Sequence, residues 1–466
     1  MKPILRPIIA SFLLLAGSTV SYGETLSEIY ELAIKNDATL KVAEATYRSD
    51  LEFEKQALST ILPQIEASAS YGEQDADKLG FNNETLTNAE TTRESDRTVY
   101  SISLTQNIFN LSAWFGFKQG KAITLQAEAQ LASDQQALIV RVAQAYFDVL
   151  SARDNLEASK AEERATKRQL EQTQQRFDVG LIAITDVHEA RAVFDNTVVQ
   201  RLTDEGNLGT AYEAISVLTG REHANFWQLN EDFPVVDPDP LSRGEWVEFA
   251  LKHNYALKAS LHAVEASHQN ARARKMQHAP TITGSYQYTD TETNTDLTNV
   301  ADGNLDSQEE GPSWSVELRV PLFSGGMVSS QRRQAYEQYN SALQNKILTQ
   351  RNVVNGTRAS HITVVTDVQR VKARSQAIVS TTSALDATQA GYEVGTRNIV
   401  DVLQAQRSLY SSIRDYANSR YGYIVNMLIL KQRAGILSPQ DIYDINKWMA
   451  VSTPSTLINS DNNASN

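Results

Sequence analysis

The stretch FDVGLIAITDVHEA, Phe177–Ala190, returns 215 residues later as YEVGTRNIVDVLQA, Tyr392–Ala405. Both hold an aromatic residue, Val-Gly, Ile, Asp-Val and Ala at the same internal spacing. Other blocks repeat in the same order at offsets of 214–217 residues. SEIYELAIKNDATLK from Ser27 matches GEWVEFALKHNYALK from Gly244, LPQIEASASYG from Leu62 matches APTITGSYQYT from Ala279, and VYSISLTQNIF from Val99 matches SWSVELRVPLF from Ser313. The pair LTG and RAG, ending at Gly220 and Gly435, closes the series. Ordered blocks at a near-constant offset point to internal duplication, and a period this long excludes a solenoid of short repeats. The expected organisation is a first repeat over 24–220, an equatorial linker over 221–243, a second repeat over 244–435, and a closing segment over 436–466.

Inside each repeat two periodicities alternate. Residues 64–72, 99–108, 281–289 and 313–322 are the expected strands. Ile65, Ala67, Ala69 and Tyr71 oppose Gln64, Glu66, Ser68 and Ser70, and Trp314, Val316 and Leu318 oppose Ser313, Ser315 and Glu317. Apolar-out, polar-in alternation with aromatics is the pattern of membrane-barrel strands, although a soluble amphipathic sheet shares it. Segments 73–98 and 290–312 are polar, acidic and without apolar periodicity, so they read as exposed loops. Four strands cannot close a barrel, and open edges are not viable in lipid, so these strands require partner subunits.

Most of the remainder is helix-forming. Residues 112–178 and 325–391 contain no proline, and each run would extend about 100 Å as one helix. Leu138, Val142, Ala145, Val149, Ala152 and Leu156 follow the 4-3 spacing of a coiled-coil seam. The second seam is less apolar, with Thr357, Ser360 and Asp367 beside Val353, Val364 and Val371. The repeated motifs, 177–186 and 392–401, then fall where a long helix stops and reverses, with Gly180 and Gly395 at the turn. Asp186 and Asp401 suit N-terminal capping of the helices that follow.

Composition narrows the function. Lys2 and Arg6, the apolar run IIASFLLLA and small residues before Glu24 read as a signal peptide over 1–23. The 56 acidic residues exceed the 43 basic ones, which argues against nucleic acid as a partner. Without cysteine there is no thiol catalysis, thiolate metal site or lipoprotein anchor. The seven histidines form no i, i+4 pair and read as surface helix residues, so no enzyme, metal site or cofactor is expected. Two readings remain: an export duct, or a periplasmic coiled-coil adaptor or scaffold without a pore.

The tip motifs, QAYFDVL at 144–150 and the strand-to-helix junction PLFSGGMVSSQ at 321–331 resemble the TolC family of bacterial outer-membrane efflux proteins, over nearly the whole mature chain. The resemblance implies a mostly α fold with a β-barrel. Three copies of a duplicated protomer would form one twelve-stranded outer-membrane barrel and a twelve-helix periplasmic tunnel. It also implies an equatorial α/β region over 221–245 and 436–450, and partnership with a periplasmic adaptor and an inner-membrane pump of RND, ABC or MFS type; the polar tail STPSTLINSDNNASN reads as disordered from its composition. Carried over residue by residue, Tyr392 and Arg397 would bond Thr185 and Asp186 on a neighbouring hairpin to hold the tunnel shut. Asp401 would form a constriction ring, with Gln404 where many relatives have a second acid. Val179-Gly180-Leu181 and Val394-Gly395-Thr396 would meet the adaptor.

Overall fold

A computed structural model of the chain describes residues 23–82, 87–298 and 304–450, and side chains are described outside 80–90. The expected signal peptide, Gly23 apart, and the tail beyond residue 450 lie outside them. The element order runs twice through one series. The first pass is α1 (Leu26–Asn36), α2 (Ala38–Ser59), β1 (Gln64–Asn82), β2 (Thr87–Phe109), α3 (Leu111–Asp178) and α4 (Ile184–Thr219). The strand β3 (Gln228–Leu229) intervenes. The second pass is α5 (Arg243–His253), α6 (Tyr255–Lys275), β4 (Thr281–Leu297), β5 (Asn304–Arg319), α7 (Met327–Glu393) and α8 (Ile399–Ala434). The chain closes with α9 (Pro439–Asn446) and β6 (Met449–Ala450), and β6 pairs antiparallel with β3. This small sheet and α9 occupy the segments expected to be equatorial.

The 68-residue α3 and 67-residue α7 run without interruption, about 100 Å each. Helices α2 and α4 both pack along α3, and α6 and α8 along α7. Helix α6 also packs closely along α3, and α8 touches it, so the two repeats meet across the first long helix. The first-repeat seam is buried at every expected position, from Leu138 to Leu156. On the α7 seam Thr357, Val364, Asp367 and Val371 are buried and Val353 and Ser360 half-buried; the charge is held by partners, Asp367 accepting from Arg370 at 2.7 Å and from Asn426 of α8 at 2.7 Å. Two histidines depart from the surface expectation. His361 is buried on α7 and bonds the carbonyl of Leu241, and His223 lies in the loop after α4, bonded to Glu24 and Thr219.

The main core lies at mid-height and joins the two repeats. The QAYFDVL stretch is its pivot: Tyr146 meets Phe226 edge-on at 5.3 Å and Phe147 stacks on Tyr421 of α8 at 5.7 Å. Beside this stack the Tyr421 hydroxyl donates to the half-buried Asp154 carboxylate at 2.5 Å. Burial raises the carboxyl of Asp154 above its ordinary value, only partly offset by Tyr421 and the nearby Arg153 and Arg420. A carboxyl whose folded pKa is raised favours the fold most below its unfolded pKa of about 3.9 and less as pH rises through the folded value. Asp154→Asn is therefore expected to gain on the parent protein as pH rises from 4 to 7, at up to about 1.4 kcal/mol per pH unit inside the window. Denaturation midpoints at both pH values test this. A variant that loses more at pH 7 than at pH 4 contradicts it.

The strands form one antiparallel sheet in the order β1-β2-β4-β5, leaving β1 and β5 as edges. Here the structure corrects the sequence. Among the described residues, segments 73–98 and 290–312 are mostly strand: the ladders continue into them as far as Asn82↔Thr87 and Asp296↔Asn304. The first two strands therefore run 64–82 and 87–109, and the last two 281–297 and 304–319 rather than 281–289 and 313–322. Apolar alternation disappears there while backbone pairing persists. At 16–23 residues the four strands are longer than the about nine to eleven tilted residues that a membrane-spanning strand needs.

Candidate functional site: the two hairpin tips

The first tip is built by helix-stop chemistry. Helix α3 ends at Asp178, Gly180 takes φ 79°, and Leu181 N–H donates to the Arg176 carbonyl at 2.9 Å. The second tip repeats the geometry with Gly395 at φ 80° and Thr396 N–H to the Gly391 carbonyl at 2.8 Å. Both glycines sit in the left-handed region that other residues enter at a cost, which explains their spacing. At the turns Val179, Leu181 and Val394 are 70%, 73% and 76% exposed.

The tips differ in how the returning helix begins. In the second, Asn398 Oδ1 accepts from Asp401 N–H at 2.8 Å and Asp401 accepts from Asn398 N–H at 3.4 Å, a reciprocal capping box. In the first, Ala183 occupies the capping position and offers no side-chain bond, so Asp186 is only a first-turn acid whose carboxylate lies 3.5 Å from the Thr185 hydroxyl. Capping thus holds for Asp401 and not for Asp186. Asp401 still pairs with Arg397 at 3.8 Å. Val402 and Leu403 belong to the tip cluster and Gln406 is buried, leaving half-exposed Asp401 and exposed Gln404 together on the other face of α8.

Tyr392 packs its ring against the small tip cluster of Ala190, Ile399, Val402 and Leu403. The Arg176 guanidinium covers the ring at 4.8 Å, a contact sequence reasoning did not find. The Tyr392 hydroxyl oxygen is buried and has no hydrogen-bond partner. Among the described residues Tyr392 and Arg397 make no bond to Thr185 or Asp186 within the chain. The structure brings the four residues to the same end of the molecule without joining them.

Paired tips, a helical shaft and an open sheet with an apolar face now have a counterpart among known proteins. The family model described as outer membrane efflux protein matches the chain twice, over residues 29–221 and 246–435. The chain belongs to the outer membrane efflux protein family. It is 36% identical over 453 residues to outer membrane protein TolC of Vibrio cholerae, covering 97% of this chain and 99% of that one. It is 26% identical to the alkaline protease secretion protein AprF of Pseudomonas aeruginosa, covering 95% and 90%. In fold it is similar to the Campylobacter jejuni CmeC outer membrane channel, with a TM-score of 0.73 at 16% identity over 96% of this chain and 98% of that one. This efflux protein is an outer-membrane exit duct, and the scaffold reading gives way to it. Among its described residues no group of three His, Cys, Asp or Glu side chains could hold a metal, and no helix is long and apolar enough to cross a membrane.

Proposed function

We propose that three copies of the chain close the β1–β5 edges into a twelve-stranded barrel and a helical tunnel, gated at the paired tips. The observation that carries this is the four-stranded sheet with two unpaired edges and an apolar face. Only closure satisfies such edges in lipid. Tyr392 and Arg397 reach Thr185 and Asp186 of a neighbouring hairpin in the assembled tunnel. Exposed Arg397 and Thr185 and half-exposed Asp186 support this, being open to a neighbouring chain, while the orphaned Tyr392 hydroxyl is enclosed in the single chain and joins only by turning outward. The exposed apolar tips take the hairpin of a periplasmic adaptor, and a pump of RND, ABC or MFS type supplies the energy. Likeness to both efflux and protease-secretion proteins supports a duct whose cargo is set by its pump.

Each link contributes about 0.5–1.5 kcal/mol, and threefold symmetry multiplies it. Tyr392→Phe combined with Arg397→Ser is therefore expected to raise single-channel conductance in a planar bilayer severalfold, with the trimer intact. Equal conductance in both proteins would show a duct gated elsewhere. No conductance from folded protein would overturn the duct itself.

A further inference from the structure

Register sorts the charges of the projecting hairpins by face. Directly paired residues share a face of a sheet, so the pairings Ala69↔Tyr100 and Tyr286↔Trp314 place the exposed aromatics on the apolar, lipid-facing side. Continued past the aromatics, that outer face carries carboxylates alone among its charged described residues. Asp75, Glu94 and Asp296 stand side by side at one level, and Asp290 opposes Glu310 at another. The opposite face, which looks into the lumen, reverses the sign. Arg97 pairs with Gly72 and Thr293, Arg93 with Ala76 and Leu297, and Lys78 with Thr91. On this face of the projecting hairpins Glu309 is the one described acid, opposite Thr291. The ion pair of the described strands, Arg319 with Glu317, lies at the far, helix-proximal end.

We infer that Arg93, Arg97 and Lys78 form a basic vestibule inside the outer mouth of the barrel, which binds multivalent anions bearing phosphate or sulfate groups. The inference rests on the closed barrel proposed above. In a trimer each residue becomes a ring of three charges, and Arg93 and Arg97, four residues apart on one strand face, set two rings about 13 Å apart along the strand. Rings of Arg and Lys attract anions in pores, and lumen-facing positions of barrels set selectivity. Threonines and serines beside the rings, among them Thr291, Thr293 and Ser95, add hydroxyl donors without opposing charge. The sign is opposite to that of the Asp401 ring that the family resemblance implies at the tips. An anion arriving from outside is thus held at the mouth, whereas cations are favoured at the periplasmic end.

The test is conductance of the full-length mature trimer in a planar bilayer at about 0.1 M salt, where the screening length is about 10 Å. Inositol hexakisphosphate is added either on the mouth side or on the tip side. The expected result is block from the mouth side. Arg93→Ser with Arg97→Ser should weaken that block at least about tenfold, since each charged hydrogen bond lost is worth that much or more. Arg93→Lys with Arg97→Lys, which keeps the charge, should retain most of it. Conductance with the same block in the Ser variant as in the parent, or equal block from both sides, overturns the vestibule and leaves the duct standing. Absence of conductance from folded trimer overturns both.

Discussion

Gly435→Ala is expected to destabilise the protein by about 3–5 kcal/mol, against about 1–2 kcal/mol for Gly220→Ala. The two glycines are counterparts, each ending the last long helix of its repeat in the left-handed region, at φ 75° and 74°. The conformational cost of a side chain there is the same for both. What differs is the surroundings. A methyl group at 435 would lie 2.4 Å from the carbonyl carbon of His253, 2.5 Å from its oxygen and 2.6 Å from Asn254 N. At 220 the nearest atom is the Asn36 Cβ at 3.9 Å. Carbon contacts are comfortable at about 3.5–4.0 Å, so Gly220 has room and Gly435 has none. Nor can the obstacle step aside, because it is backbone. Asn254 caps α6 by accepting from Leu257 N–H at 3.0 Å, and its amide bonds the Arg433 carbonyl at 2.9 Å. Displacing it would disturb the helix that feeds β4. Denaturant midpoints of the two alanine variants decide the matter; equal losses would mean that the contact yields.

The sequence exposes the turns and the first seam because their chemistry is local. A glycine at φ near 80° and a 4-3 run of Leu, Val and Ala need no knowledge of the rest of the chain. Features set by tertiary contact stay hidden. Asp367 looks like a fault in the α7 seam until Asn426 and Arg370 are seen to hold it, and nothing near Tyr392 announces Arg176 from α3. The hairpin extensions escape a reading of apolar periodicity for a physical reason: beyond the bilayer both faces of a barrel meet water, so the apolar signal ends while the strand does not. The alternating threonines Thr289, Thr291, Thr293 and Thr295 were the surviving signal, since β-branched residues favour strands whatever their polarity. The capping box of Asn398 and Asp401 was legible as spacing, three residues apart at a helix start.

Between the mid-height core and the tips, the apolar contact between repeats thins to Ala161, Ala165 and Tyr410, with Ile413 alongside. At this narrow point Glu162 of α3 pairs with Arg414 of α8 at 2.8 Å, both largely shielded from solvent. Removing one partner of a shielded pair strands the other charge, at a cost of about 3–5 kcal/mol, whereas replacing both with apolar groups of similar volume is often neutral. Glu162→Ala is thus expected to lower stability by about 3 kcal/mol, and adding Arg414→Met should recover most of the loss. The charges would then be needed only in each other's presence. In the proposed duct the pair has a positional value: it holds α8 against α3 next to the hairpin tips proposed as the gate, where few apolar side chains meet. Conductance separates this from simple stability. If the pair sets register, the double variant should regain its denaturation midpoint yet open more readily than the parent protein. Should the double variant stay as unstable as Glu162→Ala alone, the pair is not an isolated unit, and other groups around Arg414 share its charge.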